Sequence, residues 1–183
     1  MTAPAPARRL VVLRHAKSAW PLGVPDHDRP LGPRGVLDAR AAGRWVRENV
    51  GLPDQVIVSS ARRARGTWTL AAGEIGYIGA AGYDTASPGP LTVDPRVYDA
   101  SADALVTVLR ELPDRVATAL LVGHMPGCED LVDLLARDRD PEAARLLARK
   151  YATAGIAVLD VAVPWADLDV GTAYLRAFAV PRG

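Results

Sequence analysis

The chain has little of what several common kinds of site require. It holds one cysteine, Cys128, which excludes an internal disulfide framework and a cysteine-based zinc centre. Its three histidines, His15, His27 and His124, fall in no HxxxH spacing, which argues against a metal site. An excess of one charge is also missing. With 22 Lys and Arg against 21 Asp and Glu, the net charge of +1 gives no general affinity for nucleic acid or a membrane surface. No apolar run is long enough to span a bilayer, and Met1-Thr2-Ala3-Pro4-Ala5-Pro6-Ala7 lacks the apolar stretch of a signal peptide. These first residues, 1–7, read as a disordered leader on a cytoplasmic protein, with residues 8–183 forming one domain. Aromatics make up only 5% of the chain, so its 49% hydrophobic content must build a core mainly from Ala, Val and Leu.

What is present is a regular alternation of elements. Leu10-Val11-Val12-Leu13 is a continuous apolar run of the kind buried on both faces of a parallel sheet, and it stops at Arg14-His15. Residues 21–35 are rich in Pro and Gly and read as a long loop. From Pro33 to Val50 the apolar spacing turns helical, and Gly51 and Pro53 end it. Residues 55–59 predict a second strand and residues 62–75 a second helix. Residues 76–90 read as a mobile surface connection, and residues 91–93 as a brief strand. Ser101 is placed to cap a helix running to Leu112. Residues 117–122 predict a third strong strand, ending at Gly123-His124. Helices follow at 127–137 and, opened by Pro141, at 141–151. Residues 156–161 and 172–180 close the chain as strands, the second placed at an edge. The order predicts an α/β fold: a three-layer α/β/α sandwich on a mostly parallel central sheet.

Three strands run into polar residues in otherwise apolar surroundings: the first into Arg14-His15, the second into Arg62-Arg63, the third into His124. In a parallel sheet with helical crossovers the carboxyl ends share one edge, where ligands bind. Two arginines and two histidines would meet there. Guanidinium groups match phosphate oxygens with paired hydrogen bonds. An unprotonated histidine nitrogen can attack phosphorus, and nearby positive charge would lower the pKa of His15 and favour that neutral form. The same arginines would stabilise charge on the transferring group.

These residues resemble the histidine phosphatase superfamily. Leu13-Arg14-His15-Ala16-Lys17-Ser18 looks like its first motif. Ser59, Arg63-Ala64 and Thr67 match the second, and Val122-Gly123-His124-Met125-Pro126-Gly127 looks like the third. Asp28-Arg29-Pro30-Leu31 followed by Arg34-Gly35 is similar to the segment after the first motif in SixA-type phosphohistidine phosphatases. The resemblance spans residues 10 to 160 and implies a phosphoglycerate mutase-like fold. It implies that His15 forms a phosphohistidine intermediate and that Arg14 and Arg63 bind the phosphoryl oxygens. His124 would complete the pocket by donating a hydrogen bond. No metal or organic cofactor is implied.

Ser18 is a candidate phosphate ligand, with a turn role as its alternative. Spacing selects Arg63 over its neighbour Arg62. No residue stands out as the general acid; Asp28, Asp99 and Asp103 are candidates, with Tyr98 nearby in sequence. A weak acid suits a phosphoramidate, whose imidazole departs more easily than an alkoxide. The expected substrate is phosphohistidine on a protein, with a small phosphomonoester or nucleotide as the alternative. A non-catalytic phospho-ligand module comes third, and neither nucleic acid nor a membrane is a partner. Cys128 reads as a small packing residue, His27 as solvated in its loop.

Overall fold

The computed structural model describes residues 8–76 and 91–183. The leader at 1–7 and most of the connection at 76–90 lie outside them. Seven strands form one sheet: β1 (Arg8–Arg14), β2 (Gln55–Ser59), β3 (Leu91–Asp94), β4 (Thr118–Gly123), β5 (Ala136–Arg139), β6 (Ile156–Val161) and β7 (Ala173–Ala179). Their order is β3-β2-β4-β1-β6-β7-β5. β3, β2, β4 and β1 pair in parallel, β6 runs antiparallel to both β1 and β7, and β5 pairs in parallel with β7. Helices α1 (Pro33–Asn49), α2 (Arg62–Ile75), α3 (Ala102–Arg110), α4 (Gly127–Leu135) and α5 (Pro141–Arg149) cover the two faces.

The apolar run of β1 explains the layering. Side chains alternate across a strand, so Val11 and Leu13 join Ala42, Val46, Ala64 and Trp68 beneath α1 and α2. Leu10 and Val12 join Leu105, Leu109, Leu131 and Leu135 beneath α3 and α4. Both faces of the strand are buried, as its unbroken hydrophobicity requires. Ser101 caps α3 as expected, its side chain accepting from Ala104 N at 3.3 Å. The helix itself stops at Arg110, two residues short of the expected end.

The far edge of the sheet differs from expectation. β7 is not an edge strand, because β5 lies outside it. Residues 136 and 137 were expected to end a helix; instead α4 stops at Leu135 and the chain enters the edge strand directly. The strand reads Ala136-Arg137-Asp138-Arg139, with Arg137 and Asp138 exposed. Short charged edges of this kind resist pairing with other chains, and they carry no apolar period that would reveal them in sequence. Similarly, α5 ends at Arg149 rather than at Tyr151. Tyr151 instead turns inward, buried, with its hydroxyl donating to Val12 O at 2.6 Å.

One close approach fixes the segment after β1. Gly32 N donates to Lys17 O at 2.9 Å, and α1 begins on top of that carbonyl. A Cβ at Gly35 would lie 2.0 Å from Lys17 O, so only glycine lets the first turn of α1 settle there. Gly35→Ala is expected to cost about 2–3 kcal/mol in urea unfolding, the scale of backbone-displacing overpacking. An unchanged midpoint would mean that α1 is free to shift away.

Candidate active site

β1, β2 and β4 bring their carboxyl ends together, and the expected cluster forms there. His15 follows the last residue of β1, with its backbone N–H donating to Gly123 O at 3.0 Å. Its ring Nδ1 lies 2.8 Å from Ala16 O. A carbonyl only accepts, so Nδ1 carries the proton and Nε2 keeps a lone pair. Arg63, at the start of α2, donates from Nε to that Nε2 at 3.3 Å. The same guanidinium donates from Nη2 to His124 Nδ1 at 3.3 Å. His124 therefore holds its proton on Nε2, which donates to Ser59 Oγ, 2.7 Å away at the end of β2. The two rings stand 5.0 Å apart.

Both histidines are held neutral. Burial is the main cause for His15, reinforced by the charges of Arg63, Arg14 and Arg29 and partly opposed by the Ala16 hydrogen bond; its pKa falls to about 4. The sequence anticipated the direction and the arginines, but not that burial would dominate. Burial likewise pushes His124 down to about 3, with His15 and Arg63 adding to the effect. Neither ring is expected to titrate between pH 8 and pH 5 when followed by nitrogen NMR. Unfolding would raise both pKa values toward the ordinary 6.5. The unfolded chain then binds more protons, so stability contributed by these groups is lost as pH falls from about 6.5 toward 4. A ring titrating near 6.5 in the folded protein would contradict the buried geometry.

The second motif is tied to the first through Thr67. Its hydroxyl accepts from Ala16 N at 2.9 Å and donates to Arg63 O at 2.7 Å. Ala16 is fully buried, so a compact side chain suits that position. Arg63 is the arginine of the pair that reaches the site; Arg62 is exposed. Arg14 is partly buried beside His15, its Nη1 donating to Tyr151 O at 2.6 Å, while its buried Nε has no hydrogen-bond partner. Ser18 does not touch His15. Its hydroxyl accepts from Arg29 Nη2, which makes it a support for that arginine.

None of the three aspartates considered from the sequence enters the cluster. Asp28 is exposed and pairs with His27, while Asp99 and Asp103 are exposed. The carboxylate that does enter is Asp26, in the short 3-10 turn Asp26–Asp28. It accepts from Arg63 Nη2 at 2.9 Å, from Arg29 Nη1 at 2.6 Å and from Tyr98 Oη at 2.8 Å. Burial opposes its charge, but Tyr98, Arg29 and Arg63 outweigh that and hold its pKa down at about 2. Asp26 thus sets a carboxylate from the chain itself on Nη2 of Arg63, while its backbone carbonyl accepts from Nη1 at 2.6 Å. In sequence it is one of two aspartates in Asp26-His27-Asp28, and only the tight turn separates their roles. His27 is not simply solvated: its Nε2 lies 2.9 Å from Ser60 Oγ, and its ring meets that of Tyr98 edge-on at 4.9 Å.

Cys128 is fully buried and its thiol is pushed up to about 12 by that burial, which leaves it a packing residue. Among the described residues, no group of three or more His, Cys, Asp or Glu could hold a metal ion, and no helix is long and apolar enough to cross a membrane.

Comparison with known proteins agrees with this geometry. A sequence profile described as Histidine phosphatase superfamily (branch 1) matches residues 10–81. The chain is 41% identical over 172 residues to Rv1276c of Mycobacterium tuberculosis, covering 93% of this chain and 100% of that one. It is 38% identical over 175 residues to ML1117 of Mycobacterium leprae, again covering 93% and 100%. A solved structure of a candidate phosphohistidine phosphatase SixA from Nakamurella multipartitia matches with a TM-score of 0.78 at 32% identity, over 98% of this chain and 99% of that one. The protein histidine phosphatase SixA complexed with tungstate shares the fold, with a TM-score of 0.71 at 19% identity over 94% of this chain and 97% of that one.

Proposed function

Because the chain belongs to the SixA-type branch of the histidine phosphatase superfamily, we propose that it hydrolyses phosphohistidine on a protein, through a phosphorylated His15. Nε2 of His15 attacks phosphorus as the bond from phosphorus to the substrate's imidazole nitrogen breaks. Arg14 and Arg63 hold the three remaining oxygens, whose charge they match better as the transferring group flattens. Water then attacks the phosphorus on His15, the nitrogen–phosphorus bond breaks, inorganic phosphate leaves, and Nε2 recovers its lone pair. The hydrogen bond from His15 Nδ1 to Ala16 O keeps the ring in the one tautomer able to start this cycle.

Arriving substrate must displace two contacts. Arg63 has to release His15 Nε2 and share its outer nitrogens between Asp26 and the phosphoryl group. His124 can donate to that group from Nδ1 by taking up a proton, which a neighbouring dianion favours, or by moving its proton to Nδ1 while Ser59 Oγ donates to Nε2. The same dianion, drawing on the donors that hold Asp26 ionised, would raise the carboxyl's pKa and let it carry a proton to the leaving atom.

The observation that carries the protein-substrate reading is the rim of the site. The segment after His15 presents Trp20 and Leu22 to solvent, 74% and fully exposed. Trp20 lies under the guanidinium of Arg29, 3.0 Å from its ring centroid, and Arg29 in turn binds Asp26. Apolar groups displayed beside a charged pocket fit a macromolecular partner better than a small phosphate ester. The identity to the Nakamurella multipartitia structure supports the same reading.

Initial rates on a phosphohistidine protein and on a panel of phosphorylated metabolites test it; preference for a metabolite would reject it. Asp26→Asn sharpens the comparison. On an alkyl phosphate, whose alkoxide needs a proton, kcat/KM is expected to fall by about 100-fold. On phosphohistidine the loss is expected to stay within about tenfold. Equal losses on both would remove Asp26 from proton donation.

A further inference from the structure

On the other side of Arg14 lies a cleft of about 240 Å³ lined by Arg14, Lys17, Arg34, Lys150 and Arg182, together with Ala152 and Thr153. Five cations face one volume in a molecule whose net charge is only +1. The carboxylate set among them is Asp38, itself buried, which Arg34 and Arg182 share at 3.4 and 2.9 Å. Lys17 and Lys150 are exposed, and no carboxylate among the described residues lies within ion-pairing distance of either. Elsewhere on the surface Arg96, Arg139, Arg145 and Arg176 each rest on an acidic side chain. Holding like charges around one concavity costs free energy unless an anion offsets it.

The cleft is also held at a fixed offset from His15. Lys150, Ala152 and Thr153 belong to the loop between α5 and β6. Within it, Ala154 takes a φ of 60°, a conformation that alanine rarely adopts. Its N–H is shared between Arg14 O and His15 O, both at 3.2 Å, and Arg14 N donates to Gly155 O at 3.0 Å. The wall of the cleft is therefore sewn to the backbone of the dipeptide that carries the reaction, and strain of this sort gathers where position matters. On the opposite wall, Gly35 seats Arg34 against the Lys17 backbone. Arg14 lines the cleft and, on the phosphatase reading, also holds the phosphoryl group, and its buried Nε has no hydrogen-bond partner.

We propose that this cleft is a subsite for a second anionic group, a phosphate or a carboxylate, carried by the substrate beside the phosphoryl group that is transferred. The proposal rests on the phosphatase reading for what that second group is attached to. On a phosphoprotein it would be an acidic side chain near the phosphohistidine; on a small molecule, a further phosphate.

The probes are inorganic phosphate, which offers one anion, and tripolyphosphate, which offers a short row of them. Calorimetry on the intact protein is expected to show tripolyphosphate binding at least about tenfold more tightly than phosphate at low salt, the gap narrowing as salt rises. In the double variant Lys17→Gln, Lys150→Gln the gap is expected to close to about twofold while phosphate affinity stays within about twofold. The single charge reversal Lys150→Glu provides a second reading of the same gap at one exposed position. An unchanged gap in these variants, or a parallel loss of both ligands, would overturn the subsite. Turnover of a chromogenic phosphate ester is measured separately: its absence would count against the phosphatase reading, while the calorimetric gap still decides the cleft. Phosphohistidine peptides with and without flanking glutamates then identify the source. A glutamate preference that vanishes in the double variant assigns the anion to a protein carboxylate. A loss confined to bisphosphorylated small molecules assigns it to phosphate.

Discussion

Replacing His15 with alanine is expected to remove turnover of phosphohistidine and of a chromogenic phosphate ester alike, by at least about 10⁴-fold in kcat, the scale on which loss of a covalent nucleophile registers. The ring sits 8% exposed, pinned by Ala16 O, with its Nε2 lone pair facing the guanidinium of Arg63. Among the described residues, neither His124 nor Cys128 stands ready as a second nucleophile. His124 points its own unprotonated nitrogen at Arg63 and spends its proton on Ser59. Cys128 is a buried thiol whose pKa of about 12 keeps it protonated. A phosphoenzyme trapped by rapid acid-free quenching should appear in the wild type and vanish in the variant. Anion binding should survive, because Arg14 and Arg63 remain. Turnover in the variant equal to that of the wild type would refute the covalent mechanism and leave a water-mediated one in its place.

Where the sequence was legible, side-chain type and spacing carried the information by themselves. β1 could be read because a strand covered on both faces must be apolar throughout, and Leu10-Val11-Val12-Leu13 is. The convergence of His15, Arg63 and His124 followed from parallel strands sharing one carboxyl edge, and the hydrogen bonds of Arg63 to both rings bear that out. β5 was illegible for the opposite reason. At a sheet edge the selection runs toward charge, so Arg137-Asp138-Arg139 carries no periodic signature.

The part of the site that escaped was the part made by loops. Asp26 differs from Asp28 by two positions in a polar turn, and nothing in composition says which carboxylate points inward. Three-dimensional closure decides it: the turn carries Asp26 onto Arg63, Arg29 and Tyr98, the last from a segment 72 residues away. The partner of Ser18 was hidden in the same way, since Arg29 reaches it only once the segment after His15 folds back along Leu31. The cationic cleft joins residues 14–34 to residues 150–153 and 182, more than 110 positions on, and no local pattern could announce it.

Arg63→Ala is expected to lower kcat/KM by about 10²–10³-fold, and Arg63→Lys to recover no more than about tenfold of that. The guanidinium makes four contacts that one ammonium cannot reproduce. Nε reaches His15, Nη2 reaches both His124 and Asp26, and Nη1 donates to Asp26 O at 2.6 Å. Lysine restores the charge but not the fork, so it can neither bridge the two rings nor present paired donors to phosphoryl oxygens. A purely structural role is separated from this one by pH. Arg63 is among the charges that hold His15 near 4, second to burial, so its removal should move the acid limb of kcat/KM upward, measured after correction for substrate ionisation. The sign follows from the reaction. On the proposed mechanism activity needs neutral Nε2 and falls as pH drops through the pKa of His15, so a higher pKa brings that loss on sooner. Arg63→Lys, which keeps the charge, should leave the limb near its wild-type position while kcat stays low. A limb unmoved in Arg63→Ala, or full activity in Arg63→Lys, would show that Arg63 holds the fold together without acting on His15 or on the phosphoryl group.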